Sequence, residues 1–375
     1  MRTFQCTQCK SMVFFENFAC VACGHPLGFD PHSLMMVALV PATNTPTTVA
    51  LWHTAIGPTH NHAVALPLEP FKRCRNHVDY GACNFLLAAD DVHEYCVSCR
   101  QTHTIPNLSK PGNLEAWITI ENAKRRLYYT LARLGLEGLA TTPAYDFLED
   151  VPGEDPVLTG HANGLITINI AEADDAERTR RRIALHEPYR TLLGHLRHEV
   201  GHFYWDRFFL GNFQALEQFR QVFGDEREDY AEALERHYQA PRTDWQGNYI
   251  SSYATAHAWE DWAETWAHYL HLIDLLETAA AYQMSFATLG SQGYVPMQAQ
   301  DPFSYFASAP RDGSPQDIGA LLNLGMGVSL VLNSLNRSLG HNDAYPFTLA
   351  TPVLGKLSFV HNMVRAYVRD CSNQS

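Results

Sequence analysis

Eight of the nine cysteines in this chain of 375 residues lie within the first 99, and six of those eight stand in Cys-x2-Cys pairs. That clustering constrains the front of the chain more tightly than any run of apolar residues. A Cys-x2-Cys pair forms a tight turn that aims two thiolates at one tetrahedral ion. Cys6 and Cys9 are followed, ten residues on, by Cys20 and Cys23, and Gly24 supplies the positive φ that such a turn often needs. Cys74, Cys83, Cys96 and Cys99 offer four more thiolates with one true knuckle. Two structural zinc sites are expected, one from Cys6, Cys9, Cys20 and Cys23, the other from Cys74, Cys83, Cys96 and Cys99. A crossed arrangement, with knuckles shared between the two segments, satisfies the same spacing. The opening Met1-Arg2-Thr3-Phe4-Gln5-Cys6 leaves no room for a signal peptide. A cytoplasmic chain with reduced thiols is therefore expected, and clustered cysteines there hold metal rather than disulfides.

The charge balance argues against nucleic acid, because a formal net charge of −13 is the wrong sign for phosphate. Residues 1–112 carry seven Lys/Arg and seven Asp/Glu, and each tetrathiolate zinc site would add about −2. The cysteine-rich region therefore suits a structural or protein-docking role. Within it, 39–67 reads as short strands and turns, and His53, His60 and His62 are not needed as ligands. Hydrophobic residues make up 46% of the chain, enough for a sizeable core. The uncharged, apolar stretch Ile318 to Asn336 is broken by Asn323, three glycines and Asn333, so it reads as a buried helix rather than a membrane span.

Apolar spacing predicts an amphipathic helix over 113–136, ended by Gly135 and Gly138, with Lys124-Arg125-Arg126 on a solvated face. The acidic stretch 149–156 reads as a loop. Gly164 to Ile170 is the best strand in the chain, alternating and β-branched. Lying just before the next helix, it is expected either to border a cleft and pair with an extended substrate or to be an interior strand. Residues 283–313 read as a long loop, a lid or rim, and 316–339 and 352–368 as two closing helices.

From Tyr189 onward a helix carries His198-Glu199-Val200-Gly201-His202. His198 and His202 are four apart, so both imidazoles leave one face a single turn apart and can share a zinc ion. Glu199, about 100° around the helix, can reach a water on that ion without ligating it. A second segment, Ser252 to His268, runs from a loop into a helix holding Glu260 and Glu264 on one face. Glu260 is the expected third ligand, in preference to Glu264, Asp261 and His257, and leaves the fourth position to water. Glu264 is expected to accept the outward N–H of a ligating histidine and fix its tautomer. His195, His268 and His271 are expected in the core or behind the ligands. Trp205, Trp259, Trp262 and Trp266 read as core, and Cys371 as a bystander.

The segments 189–206 and 251–272, with Cys20-Val-Ala-Cys-Gly and Cys96-Val-Ser-Cys in front, resemble the bacterial zinc-binding metallopeptidases that carry an N-terminal zinc ribbon. More remotely, Tyr253-x6-Glu260-x3-Glu264 is similar to the gluzincin site of anthrax lethal factor and the Pro-Pro endopeptidases. The resemblance implies that Tyr253 stabilises the oxyanion. The expected fold is α+β: a double zinc-ribbon region over 1–112, then a mostly helical, zincin-like domain with a small sheet over 113–375. The expected activity is hydrolysis of a peptide or protein substrate, with one catalytic and two structural zinc ions and Glu199 as the base. The rival expectation is a non-enzymatic zinc protein whose ribbons are an interaction module and whose His-Glu-x-x-His site is structural or regulatory.

Overall fold

A computed structural model describes residues 1–42, 49–58, 66–67, 70–137, 142–184, 191–290, 293–308 and 314–373. His60, His62, Gly138 and Tyr189 lie outside the described residues.

The cysteine-rich region is built from short strands, as its lack of long apolar periodicity requires. β1 (Phe4–Gln5) and β2 (Met12–Val13) form the first ribbon. A five-stranded sheet follows in the order β3 (Leu27–Asp30), β4 (Met35–Pro41), β5 (Leu51–Thr54), β6 (Phe71–Arg73) and β7 (Leu86–Ala88), with α1 (Arg75–Tyr80) between β6 and β7. The first four cysteines converge, with Cys6 Sγ 3.8 Å from Cys23 Sγ and Cys9 Sγ 3.6 Å from Cys20 Sγ. The second four converge separately, with Cys83 Sγ 3.7 Å from Cys96 Sγ. Four thiolates at ~2.3 Å from a tetrahedral ion stand about 3.8 Å apart, so both clusters are zinc-sized. No knuckle crosses between the segments.

The next sheet has the order β10 (Gly160–Ala162), β11 (Leu165–Asn169), β9 (Ala144–Leu148), β8 (Thr102–Thr104). The alternating stretch 164–170 is thus the interior strand β11, paired antiparallel with β10 and parallel with β9. It has no free edge for a substrate, and β10 is the outer strand. β8 comes from before residue 112 and closes the opposite edge, so this sheet draws on both regions of the chain.

α2 (Asn113–Leu134) ends on Gly135, whose φ of 82° gives the left-handed cap. Its basic run is not a solvated face. Lys124 is 1% and Arg125 2% exposed, and only Arg126 reaches out, to Glu16 at 2.5 Å. Lys124 pairs with Glu121 at 3.0 Å, and Thr102 of β8 donates to Glu121 at 2.8 Å. Arg125 donates to the Ala82 carbonyl at 2.7 Å, beside the second cysteine cluster. Burial opposes its charge, but Cys83, Glu121, Cys99 and Cys96 hold the guanidinium protonated.

α3 (Asp175–Ala184), α4 (Leu192–Phe209), α5 (Phe213–Phe223) and α6 (Tyr230–Gln239) lead to the long α7 (Ala258–Ala281). The expectation of a long loop over 283–313 fails in its described residues. It holds the hairpin β12 (Ser285–Gly290) and β13 (Gly293–Gln298), then α8 (Pro302–Ala307). Phe286 and Met297 of that hairpin pack against Gly327, which gives the segment an anchor its composition does not advertise. α9 (Gly319–Ser338) and α10 (Thr351–Ser372) pack on α7. Among the described residues, α9 is the one helix long and apolar enough to cross a membrane, and here Leu321, Leu322, Leu324 and Val328 face the core. The main core runs from α2 through α4 and α7 to α10, with Trp262 and Trp266 fully buried at its centre.

Candidate metal centre

α4 begins where Thr191 caps it, its hydroxyl accepting from the Gly194 N–H at 3.0 Å. α4 and α7 cross closely because residue 201 has no side chain. A Cβ there would stand 3.1 Å from the Ala263 Cα and 3.1 Å from the Trp266 ring. Trp262 Nε1 donates to the Gly201 carbonyl at 2.9 Å and locks the crossing. The result is that Glu260, on the first turn of α7, faces the two histidines of α4.

His198 Nε2 and His202 Nε2 are 3.2 Å apart. Glu260 Oε2 lies 3.0 Å from His198 Nε2, and Glu260 Oε1 3.6 Å from His202 Nε2. Ligands at ~2.0–2.1 Å around a tetrahedral ion stand about 3.3–3.4 Å apart, and these three residues match that spacing. Glu260 is 1% exposed, and its Oε2 is buried without a hydrogen-bond partner. An atom 3.0 Å from a ring nitrogen yet not aligned with it is aimed at a shared third point. Charge leads to the same fit. Burial alone would raise the Glu260 carboxyl, but the facing His202 and His198 hold it well below its usual range. Burial would lower His198, but Glu260 and Glu264 hold it well above. The cluster thus favours positive charge, and a divalent cation supplies it. Among the described residues, the candidate ligands here are these three.

Glu264, one turn along α7, accepts from His198 Nδ1 at 2.8 Å, and Ser251 Oγ donates to its other oxygen at 2.6 Å. Burial is the largest single influence and opposes its ionisation, but the hydrogen bond and charge of His198, with His268 and Ser251, together outweigh it and bring it down to about 2. Glu199 is 9% exposed, next to His198 on the helix. The Tyr253 ring lies 5.9 Å from that of His198, and burial, followed by the charge of Glu260, keeps its phenol protonated.

The other candidates sit elsewhere. His257 caps α7, accepting from the Trp259 N–H at 3.1 Å. Asp261 turns away to Lys356 Nζ at 2.5 Å. His195 Nδ1 bonds to the buried Glu172. His268 shares a 2.6 Å hydrogen bond with Tyr345, and His271 accepts from Arg197. Trp259 lies tilted over His202 with centroids 3.8 Å apart, so it lines the site as well as packing against the core.

Three residues escape a reading of the sequence. Ser251 holds Glu264. His161, on the outer strand β10, stacks beside His202 with centroids 6.5 Å apart. Tyr230, at the start of α6, donates to Glu260 Oε1 at 2.6 Å. Asp229 capping the Glu232 N–H at 2.9 Å marks where α6 starts, but no spacing ties residue 230 to residue 260.

The profile of a family described as "Putative zinc-binding metallo-peptidase" matches residues 113–363, and that of a zinc-ribbon domain matches residues 3–110. Uncharacterized proteins of Mycobacterium bovis and of two strains of Mycobacterium tuberculosis are each 37% identical to this chain over 371 residues. Those alignments cover 97% of this chain and 95% of each relative. No solved structure matches.

Proposed function

The chain belongs to the zinc-binding metallo-peptidase family just named, and on that premise we propose that it hydrolyses peptide bonds at the His198, His202, Glu260 cluster. Residues 113–375 carry the activity, and residues 1–112 hold two structural zinc ions. The observation that carries the reading is the convergence of three zinc-spaced ligand atoms beside Glu199. Zinc held there would polarise the scissile carbonyl and lower the pKa of a water toward ~7. Glu199 takes the proton of the attacking water and returns it to the leaving amine. Tyr253, protonated and beside His198, donates to the carbonyl oxygen as negative charge develops on it. Glu264 and Ser251 fix the His198 ring so that Nε2 faces the other ligands. Cleavage of an unbiased peptide library tests this. Wild type should cut, and Glu199→Gln should keep its zinc while losing about 10²–10⁴ in rate. A Gln variant as fast as wild type, or a wild type inert on the whole library, would favour a structural or regulatory site instead.

A further inference from the structure

We propose that Tyr230 is a positioning residue for the metal centre, one that ties back Glu260 Oε1 so that Glu260 meets the ion through Oε2 alone. This rests on the reading of His198, His202 and Glu260 as zinc ligands.

Glu260 is almost fully buried, and a buried carboxylate oxygen without a donor is costly. Oε2 has no hydrogen bond and faces the histidines. Oε1 receives one, the 2.6 Å bond from the Tyr230 hydroxyl. The two oxygens are therefore unequal before any ion arrives. A carboxylate free to rotate could offer both oxygens and fill two positions around the metal. One whose second oxygen is held offers a single ligand atom and leaves room for water and substrate, which a catalytic zinc site requires.

The tyrosine is built to do this. It is the first residue of α6, a helix in which Ala233 is the one buried residue. Its backbone sits on an exposed element, and the residue as a whole is 38% exposed. The hydroxyl end nonetheless points inward, because the ring is gripped edge-on by His257 at 5.4 Å and by Trp259 at 5.7 Å. His257 is itself fixed, capping α7 through one nitrogen and lying 3.3 Å from the Glu228 carbonyl through the other. The start of α6 is thus pinned to the start of α7, and the phenol spans the gap to the ligand. The Tyr253 side chain also interacts with the Tyr230 hydroxyl. A tyrosine that merely covered the surface would be served equally well by phenylalanine, which keeps the ring and both edge contacts.

Stepwise zinc release from the full chain to a chromophoric chelator reads this without any substrate. Glu260→Ala identifies the release step that belongs to this site. Tyr230→Phe should weaken that step by roughly 10–100-fold, the usual range for an outer partner of a metal ligand. The thiolate steps and the circular dichroism should not move. Tyr230→Ala should weaken it at least as much. A Phe variant within threefold of wild type, whatever the Ala variant does, would overturn the role of the hydroxyl and leave the metal site standing. A wild type with no release step that Glu260→Ala removes would overturn the metal site itself, whether or not a peptidase activity had been found.

Discussion

Replacing Glu264 with alanine should weaken zinc at the His198, His202, Glu260 cluster without abolishing it, and the structure sets the size of the effect. The His198 ring is 12% exposed, and its Nδ1 meets Glu264 at 2.8 Å. Without that carboxylate, the Nδ1–H and the Ser251 hydroxyl both lose their partner. One unmet buried donor costs about 1–3 kcal/mol, or roughly 5–150-fold in affinity at ~1.4 kcal/mol per tenfold. The range for lost outer partners of ligating histidines, about 10–100-fold, falls inside that window. Glu264→Gln should cost less, since the amide oxygen still accepts from Nδ1 and the Ser251 hydroxyl can accept from the amide nitrogen. Glu260→Ala removes a ligand outright, so this zinc should be lost while the thiolate-bound zincs stay. Chelator competition on the three variants, with total zinc by elemental analysis, measures all of this. If Glu264→Ala loses the metal and Glu260→Ala keeps it, the ligand is one helical turn further along α7. If Glu264→Ala binds within threefold of wild type, His198 is not oriented by this contact.

Elemental analysis of the purified chain should give close to three zinc ions, one for each of the two cysteine clusters and one for the His198 centre. One ion or fewer would remove the argument for the ribbons and for the cleft together. Tyr253→Phe should lower kcat by about 10²–10³ with little change in KM, the cost of one lost oxyanion donor, and leave the zinc content intact. A Phe variant within threefold of wild-type kcat would rule out the oxyanion role.

The centre was legible wherever its residues share a helix face. The four-residue spacing of His198 and His202, and of Glu260 and Glu264, fixes which side chains stand together on α4 and on α7. What spacing could not say is that the two faces meet. That depends on Gly201, whose missing Cβ admits Ala263 and Trp266 at 3.1 Å, and on the single hydrogen bond from Trp262 to its carbonyl. A glycine inside a helix is weak evidence in a sequence, because it lowers helix propensity by about 1 kcal/mol without saying why it is there. Tyr230 was illegible for a different reason. It acts across 30 residues of chain from an exposed helix start, and no period links the two positions. The spacing of 164–170 leaves open whether the strand borders a cleft or lies inside a sheet. Its alternation marks a strand, but only topology places β10 outside it.

Lys124 and Arg125 show where reading each segment by itself fails. Counted alone, residues 1–112 are neutral before metal binds, and a zinc ion on the four buried thiolates Cys74, Cys83, Cys96 and Cys99 would leave an excess of about −2. An uncompensated buried charge of that size is expensive. The compensation comes from beyond the segment: Arg125 of α2, 2% exposed, sits against Cys83, Cys96 and Cys99 and is fixed by the Ala82 carbonyl. Lys124, beside it, is neutralised by Glu121 and shares it with Thr102 of β8. On the same helix, Tyr129 packs against Phe15 and Phe29 of the ribbon region and donates to Glu277 of α7 at 2.7 Å. α2 is therefore at once the counter-charge of a zinc ribbon and a wall of the core that carries the metal centre. A basic run looks solvated when its partners are taken to be water. Here they are a carboxylate, a backbone carbonyl and the charge of nearby thiolates, and one helix joins the ribbon region to the core that carries the centre.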